Sequence, residues 1–211
     1  MNKILAVIVA IVALACGAYV YQTAFKLPMP EHALYYQQPR EVKAFSLTDH
    51  KNQVFDNDKL KGKWSWMFFG YTSCPDICPT TLQELNFNYD SLKATASNTQ
   101  VVLVSVDPMR DKPEKLNLYI NYFNEEFVAA TADHGVLYPF ARNLGMMYSI
   151  ADDPSQENYF VDHSASVVLI NPEGNIAAIF KPDHALGELP VVDGEELVND
   201  FARIINLYEA G

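Results

Sequence analysis

The most reactive side chains of the sequence are a pair of cysteines, Cys74 and Cys78, in the segment FFGYTSCPDICPTTLQEL. The segment predicts a buried strand, a turn and then a helix, because Pro79 suits a first helical turn. Backbone N–H groups at a helix N-terminus stabilise a nearby anion, so we expect one or both thiols to have a lowered pKa. Residues four apart at a helix start share a face, so both sulfur atoms can lie on one side of the helix.

Several kinds of chemistry are open to such a pair. Thiol–disulfide exchange enzymes of thioredoxin type separate their cysteines by two residues, whereas three residues, 75–77, separate them here. A soft metal ion fits better, because two thiolates and a third ligand favour copper, particularly Cu(I). A closed structural zinc site would normally use a fourth protein ligand. A structural disulfide and two inert buried cysteines are the remaining alternatives.

The third ligand is sought among five histidines. His163 is the best placed, since it lies just before the predicted core strand SVVLI, and such a loop can lie beside the first turn of the cysteine helix. His134, in the segment ADHG, is the second candidate. The remaining histidines are His32, His50 and His184.

Methionine and acidic side chains are predicted to have supporting roles. Methionine sulfur can bind Cu(I), but methionines more often fill gaps in packing. The four considered are Met67, Met109, Met146 and Met147. Carboxylates are poor Cu(I) ligands, so nearby aspartates are expected to cap turns and tune the electric field at the thiols. These aspartates are Asp76, Asp107, Asp111 and Asp162.

The N-terminus carries an uncharged apolar run of eighteen residues, 4–21, directly after Lys3. As a helix this run would extend about 27 Å, close to the hydrocarbon thickness of a bilayer. We predict a signal-anchor over residues 1–24 that holds the chain in a bacterial inner membrane, with a soluble domain in the periplasm. The alternative is a lipoprotein with its lipid on Cys16, although Ala13 stands where such signals usually have leucine.

Composition narrows the class of protein. The chain has 211 residues, with 15 Lys and Arg against 26 Asp and Glu, a formal net charge of -11. Nucleic-acid binding is disfavoured, because its affinity comes largely from basic side chains that neutralise phosphates. A hydrophobic content of 49% excludes wholesale disorder. Three cysteines are too few for a disulfide-built scaffold.

The pattern predicts an irregular tether over residues 25–41 and one α/β domain over 42–211. Strands that alternate with helices indicate a central sheet with helices on both faces. Predicted strands lie at 64–71, 100–106, 127–130, 166–170 and 176–180, after a hairpin at 44–55. Predicted helices lie at 79–94, 113–123, 138–144 and 195–208.

From about Ala44 to the C-terminus the sequence resembles the Sco/SenC family of membrane-tethered, thioredoxin-like copper proteins. The segments FSLTD, FFGYTSCPDICPTTL, SVDPMRDKPEKLNLYINYF and VDHSASVVLINPEG occur in the family's order. The resemblance implies a thioredoxin-like α/β fold, with a central mixed β-sheet flanked by helices. It also implies copper ligands at Cys74, Cys78 and His163, with the family's acidic residue between the cysteines at Asp76.

The resemblance further implies a metallochaperone rather than an enzyme. Such a protein would supply copper, as Cu(I) or Cu(II), to the dinuclear copper centre of cytochrome c oxidase, whose copper-centre subunit would be its partner. The alternative is a thiol–disulfide reductase or redox sensor that acts on target cysteines through Cys74 and Cys78. An upstream copper donor or thiol reductant is a further possible partner.

Overall fold

The computed structural model describes residues 3–24, 27–150, 159–182 and 189–210. Its helices are α1 (Lys3–Ala24), α2 (Ile77–Phe87), α3 (Tyr89–Thr95), α4 (Pro113–Phe123), α5 (His134–Asn143) and α6 (Gly194–Glu209). Its strands are β1 (Leu34–Glu41), β2 (Ser46–Asp49), β3 (Val54–Asp56), β4 (Trp64–Gly70), β5 (Thr99–Ser105), β6 (Val128–Thr131), β7 (Tyr148–Ile150), β8 (Val161–His163), β9 (Val167–Ile170) and β10 (Asn175–Phe180).

Eight strands form one mixed sheet in the order β1-β10-β9-β4-β5-β6-β2-β3. β4, β5 and β6 run parallel to one another, and the other neighbouring pairs are antiparallel. β7 and β8 form a separate two-stranded sheet. The predicted central mixed sheet is confirmed.

The middle of the sheet is covered on both faces, which explains the unbroken apolar runs of β4 and β5. Every residue of these two strands is buried, as expected for parallel strands between layers of helices. On one face Phe201 of α6 packs edge-on against Trp66, with ring centroids 5.0 Å apart. On the other face Phe140 of α5 lies 5.9 Å from Phe69.

The predicted single helix over 79–94 is wrong in its extent. It is two helices, α2 and α3, joined at Asn88. The Asn88 side chain donates to the carbonyl of Glu84 at 2.9 Å, a local bond that competes with helix continuation. The first turn of α6 lies against this junction, since a Cβ on Gly194 would lie 2.0 Å from the Asn88 amide nitrogen.

Part of the segment predicted as an irregular tether belongs to the sheet. β1 (Leu34–Glu41) pairs antiparallel with β10 at one edge, and its register shifts between Tyr35 and Arg40. Pro39 lies within that shift, and proline is tolerated in sheets at edges and bulges. The sequence-based prediction therefore missed this strand because of its proline.

The N-terminal run forms α1, and its apolar side chains are exposed where the structure describes them. In the described part of the chain, no helix combines the length and apolar character needed to cross a membrane. The signal-anchor over residues 1–24 stays a prediction.

Candidate metal centre

The two cysteines occupy different positions at the end of β4. Cys74 lies in the turn and is partly buried, whereas Cys78 lies in the first turn of α2 and is fully buried. The backbone N–H of Cys78 donates to the Cys74 sulfur at 3.4 Å. Both thiols are free. The turn therefore points one sulfur towards the core and leaves the other more accessible.

Gly70, the last residue of β4, makes room for the buried sulfur. A Cβ at this position would lie 2.8 Å from Cys78 Sγ and 2.9 Å from the Phe68 ring. Both distances are too short for real side chains. The close approach of Cys78 to the sheet thus requires glycine here.

His163 meets the cysteines from the end of β8. Its Nε2 lies 3.1 Å from Cys78 Sγ and 3.9 Å from Cys74 Sγ. Its Nδ1 lies 3.2 Å from the carbonyl oxygen of Ser164, so Nδ1 carries the proton and donates it there. This tautomer, assigned from the hydrogen-bond pattern, leaves the Nε2 lone pair facing the two sulfur atoms.

The three ligand atoms fit one metal ion. All lie within 4.8 Å of one another. Metal bonds of roughly 2.0–2.3 Å in a trigonal arrangement would separate them by about 4 Å, so only small adjustments are needed. Two soft sulfurs and an imidazole form a donor set that selects copper over hard cations.

The two thiols differ in acidity. The pKa of Cys74 is lowered to about 4, chiefly because the Cys78 thiol donates to its sulfur, with backbone N–H groups adding to the effect. Burial raises the pKa of Cys78, and the neighbouring Cys74 raises it further. The expectation that at least one thiol has a lowered pKa is confirmed, and that thiol is Cys74.

The other histidines lie elsewhere. The Nδ1 of His134 contacts the Tyr148 hydroxyl at 2.9 Å, and the Nδ1 of His32 pairs with Glu196 at 3.0 Å. His50 is buried beside Ala129, and His184 lies outside the described residues. Within the described ranges, no second group of three His, Cys, Asp or Glu ligand atoms is close enough to hold an ion.

Two of the four methionines pack in the core as expected, but Asp76, at the N-cap position of α2, makes no side-chain capping hydrogen bond. Met67 and Met146 are core residues, whereas Met109 and Met147 are exposed. Asp76 and Asp162 are also exposed. These two aspartates line a cleft of about 280 Å³ that also reaches Cys74 and His163. The candidate metal centre is therefore open to solvent on one side.

Asp111 has a larger role than a turn residue. It is fully buried and accepts the Thr72 backbone N–H at 2.8 Å, the Thr72 hydroxyl at 2.5 Å and the Ser105 hydroxyl at 2.7 Å. Lys115 pairs with it at 3.3 Å. A satisfied buried carboxylate thus fixes the turn two residues before Cys74. No local sequence pattern signals this role, because Thr72 lies 39 residues from Asp111 along the chain.

Comparison with curated proteins gives relatives across most of the chain. A putative copper-binding protein of Stutzerimonas stutzeri is 36% identical over 174 residues, which cover 79% of this chain and 82% of that protein. The protein sco1 of Schizosaccharomyces pombe is 34% identical over 147 residues, 68% of this chain and 56% of that protein.

Solved structures give the same fold. Arabidopsis thaliana ScoI with copper bound matches with a TM-score of 0.67 and 28% identity, covering 79% of this chain and 98% of that one. Yeast Sco1 with copper bound matches with a TM-score of 0.67 and 26% identity, covering 82% of this chain and 91% of that one. The expected thioredoxin-like α/β fold of Sco proteins is confirmed.

The family model described as SCO1/SenC matches residues 35–190, which include every element from β2 to β10 and all three candidate ligand residues. The resemblance carried by the cysteine and histidine segments is thereby confirmed. The chain belongs to the SCO1/SenC family.

Proposed function

We propose that this chain binds one copper ion through Cys74, Cys78 and His163 and delivers it to the dinuclear copper centre of cytochrome c oxidase. The observation that carries the proposal is the convergence of two cysteine sulfurs and one imidazole nitrogen within 4.8 Å. Copper-bound Sco structures with the same fold support it. Copper is here a cargo, held until a target takes it.

The unequal burial of the ligands favours an ordered release. Cys74 and His163 line the open cleft, whereas Cys78 is fully buried. Ligands of a docked target can therefore approach the ion from the side of Cys74 and His163. We infer that Cys78 is the last of the three ligands to release copper.

Titration of the reduced full-length chain with Cu(I) against a competing chelator tests the binding step. Wild type should bind one equivalent. His163→Ala should bind on the order of 100-fold more weakly, because two thiolates remain without the imidazole. His32→Ala is the matched control, since His32 lies just before β1 and pairs with Glu196 of α6, and it should bind as wild type does. Equal affinity in wild type and His163→Ala would rule out the three-ligand site.

Delivery is tested by mixing the copper-loaded chain with the metal-free soluble domain of the oxidase subunit that holds the dinuclear centre. Copper should move to the target, and its absorption spectrum should appear there. The two proteins are separated after mixing. If all the copper is still on the loaded chain, the delivery role fails while the binding role stands.

We further propose that residues 1–24 hold the chain in a bacterial inner membrane, with the copper domain in the periplasm. The exposed apolar side chains of α1 support this placement. After cell fractionation, the chain should resist extraction from membranes by alkaline carbonate, and Cys16→Ser should behave identically. Release by Cys16→Ser alone would favour the lipoprotein alternative, and extraction of both would contradict anchoring.

A second function, reduction of target disulfides, is favoured by the acidity difference between the two thiols. The Cys74 thiolate would attack one sulfur of a target disulfide, and the other target sulfur would leave and take a proton. Cys78 would then lose its proton and attack Cys74 Sγ, which releases the second target thiol. Two electrons pass to the target, and a Cys74–Cys78 disulfide remains.

Exchange with oxidised glutathione separates the two functions. Neither exchange step uses His163 as a reacting group, so a reductase should keep its exchange rate in His163→Ala. A metallochaperone should lose tight copper binding in the same variant. A variant that retains copper affinity but loses exchange would contradict both assignments of His163.

A further inference from the structure

The loop after β5 contains a second buried carboxylate, Asp107, in addition to Asp111. Asp107 is fully buried. Its Oδ1 accepts the Tyr159 hydroxyl and, at 3.4 Å, the backbone N–H of Arg110. Its Oδ2 accepts the Arg110 Nε–H in an ion pair. Asp107 thus joins its own loop to the segment that precedes β8.

Arg110 holds the same tyrosine in two further ways. One guanidinium nitrogen donates to the Tyr159 backbone carbonyl at 2.9 Å. The guanidinium carbon lies 3.6 Å from the centre of the Tyr159 ring, a cation–π contact. Hydroxyl, carbonyl and ring of Tyr159 are therefore all fixed by two residues of the SVDPMRD segment.

The segment held in this way leads directly to the metal ligand. Two residues after Tyr159, the backbone N–H of Val161 donates to the Tyr71 hydroxyl at 3.4 Å. The Tyr71 ring lies edge-on to His163 with centroids 5.9 Å apart, and Arg110 lies 5.6 Å from the same ring. Movement at Tyr159 would thus be transmitted along β8 to the imidazole.

We propose that Asp107 and Arg110 are positioning residues that hold His163 over the cysteine pair through their contacts with Tyr159. This inference rests on the copper site proposed above and adds to it the residues that orient one ligand. The two aspartates of SVDPMRD support different parts of the site. Asp111 fixes the cysteine turn through Thr72, and Asp107 fixes the histidine strand through Arg110 and Tyr159.

A crossed comparison in the full-length chain tests this division. Arg110→Gln should weaken Cu(I) binding about tenfold in the wild-type background, as expected for a residue that supports a ligand. In the His163→Ala background it should cause no further loss, because the ligand on which it acts is already gone. Tyr159→Phe, which removes only the hydroxyl, should cause a smaller loss with the same dependence on His163.

The matched control is a substitution in the turn that carries the cysteines. Thr72→Val removes the hydroxyl that donates to Asp111, so any loss of copper affinity should be equal with and without His163. Circular dichroism and thermal unfolding of each variant identify loss of fold. If Arg110→Gln is unfolded, Tyr159→Phe carries the test, since it keeps the ring and the carbonyl.

A measurement on the metal-free chain gives a readout independent of copper. Nuclear Overhauser contacts between the rings of His163 and Phe68, whose centroids are 5.9 Å apart, should weaken in Arg110→Gln and persist in Thr72→Val. Equal copper losses for Arg110→Gln in both backgrounds, or unchanged contacts, would overturn the positioning role alone. Failure of wild type to bind Cu(I) would instead overturn the copper site and this inference with it.

Discussion

The two halves of the metal centre are built by different means. The cysteine half continues from β4, a strand buried at every residue in the middle of an eight-stranded sheet. The histidine half lies on β8, in a two-stranded sheet apart from the large one. Packing of the core therefore fixes Cys78, whereas side-chain bonds and ring contacts fix His163. Such a difference would suit the proposed role of holding an ion and then releasing it.

Removal of the buried sulfur should have the largest effect on copper binding. Cys78→Ser should lower Cu(I) affinity by roughly 1,000-fold or more, because a hard hydroxyl replaces a soft thiolate in the rigid half. The loss should exceed that of His163→Ala. Chelator competition on both variants decides the order, and a larger loss for His163→Ala would contradict the assignment of the cysteine half as the main holder.

Oxidation should empty the site without any mutation. A Cys74–Cys78 disulfide removes both thiolates, so one equivalent of copper should leave when the pair is oxidised and return after reduction. Metal analysis after gel filtration measures both steps. Retention of copper by the fully oxidised chain would show that the cysteine half is not the ligand source.

A smaller effect, on stability, is expected from adding a methyl group beside Cys78. Gly70→Ala should lower the free energy of unfolding by about 1–3 kcal/mol, because its methyl group would collide with Cys78 Sγ and the Phe68 ring. Gly135→Ala is the control, since nothing lies within 4 Å of a Cβ there. Urea unfolding compares the two, and equal stability would mean that Cys78 does not approach the sheet as closely as described.

The smallest predicted effect concerns pH and distinguishes the two thiols. The pKa of Cys74 is lowered to about 4 from an ordinary value of 9.0, so its reactive thiolate persists at neutral pH and is lost only as pH falls through about 4. Alkylation of metal-free Cys74 by iodoacetamide, followed by peptide mass mapping, should change little between about pH 8 and pH 6. A steep decline over that interval would contradict the lowered pKa.

The sequence predicted the cysteine half better than the histidine half. The run WSWMFFGY and the prolines around the cysteines have local signals for a buried strand and a helix start, and both elements formed. The pairing of β7 with β8 had no comparable signal, because strands of three residues have no periodicity to detect. The break at Asn88 and the Pro39-containing edge strand also depend on tertiary packing.

The supporting residues show the same limit. His163 was predicted from its place before a core strand, and the structure brings it to the cysteines. The aspartates of SVDPMRD were expected to cap turns, but their partners are Thr72 and Tyr159, 39 and 52 residues away along the chain. Long-range side-chain bonds of this kind leave no local pattern in a single sequence.

X-ray absorption at the copper edge of the Cu(I)-loaded full-length chain measures the proposed ligands themselves. We expect a first shell of two sulfurs and one nitrogen, with the outer-shell scattering of one imidazole. In His163→Ala the nitrogen and the imidazole scattering should disappear while both sulfurs remain. A wild-type spectrum without imidazole scattering, or one that His163→Ala leaves unchanged, would contradict the site formed by Cys74, Cys78 and His163.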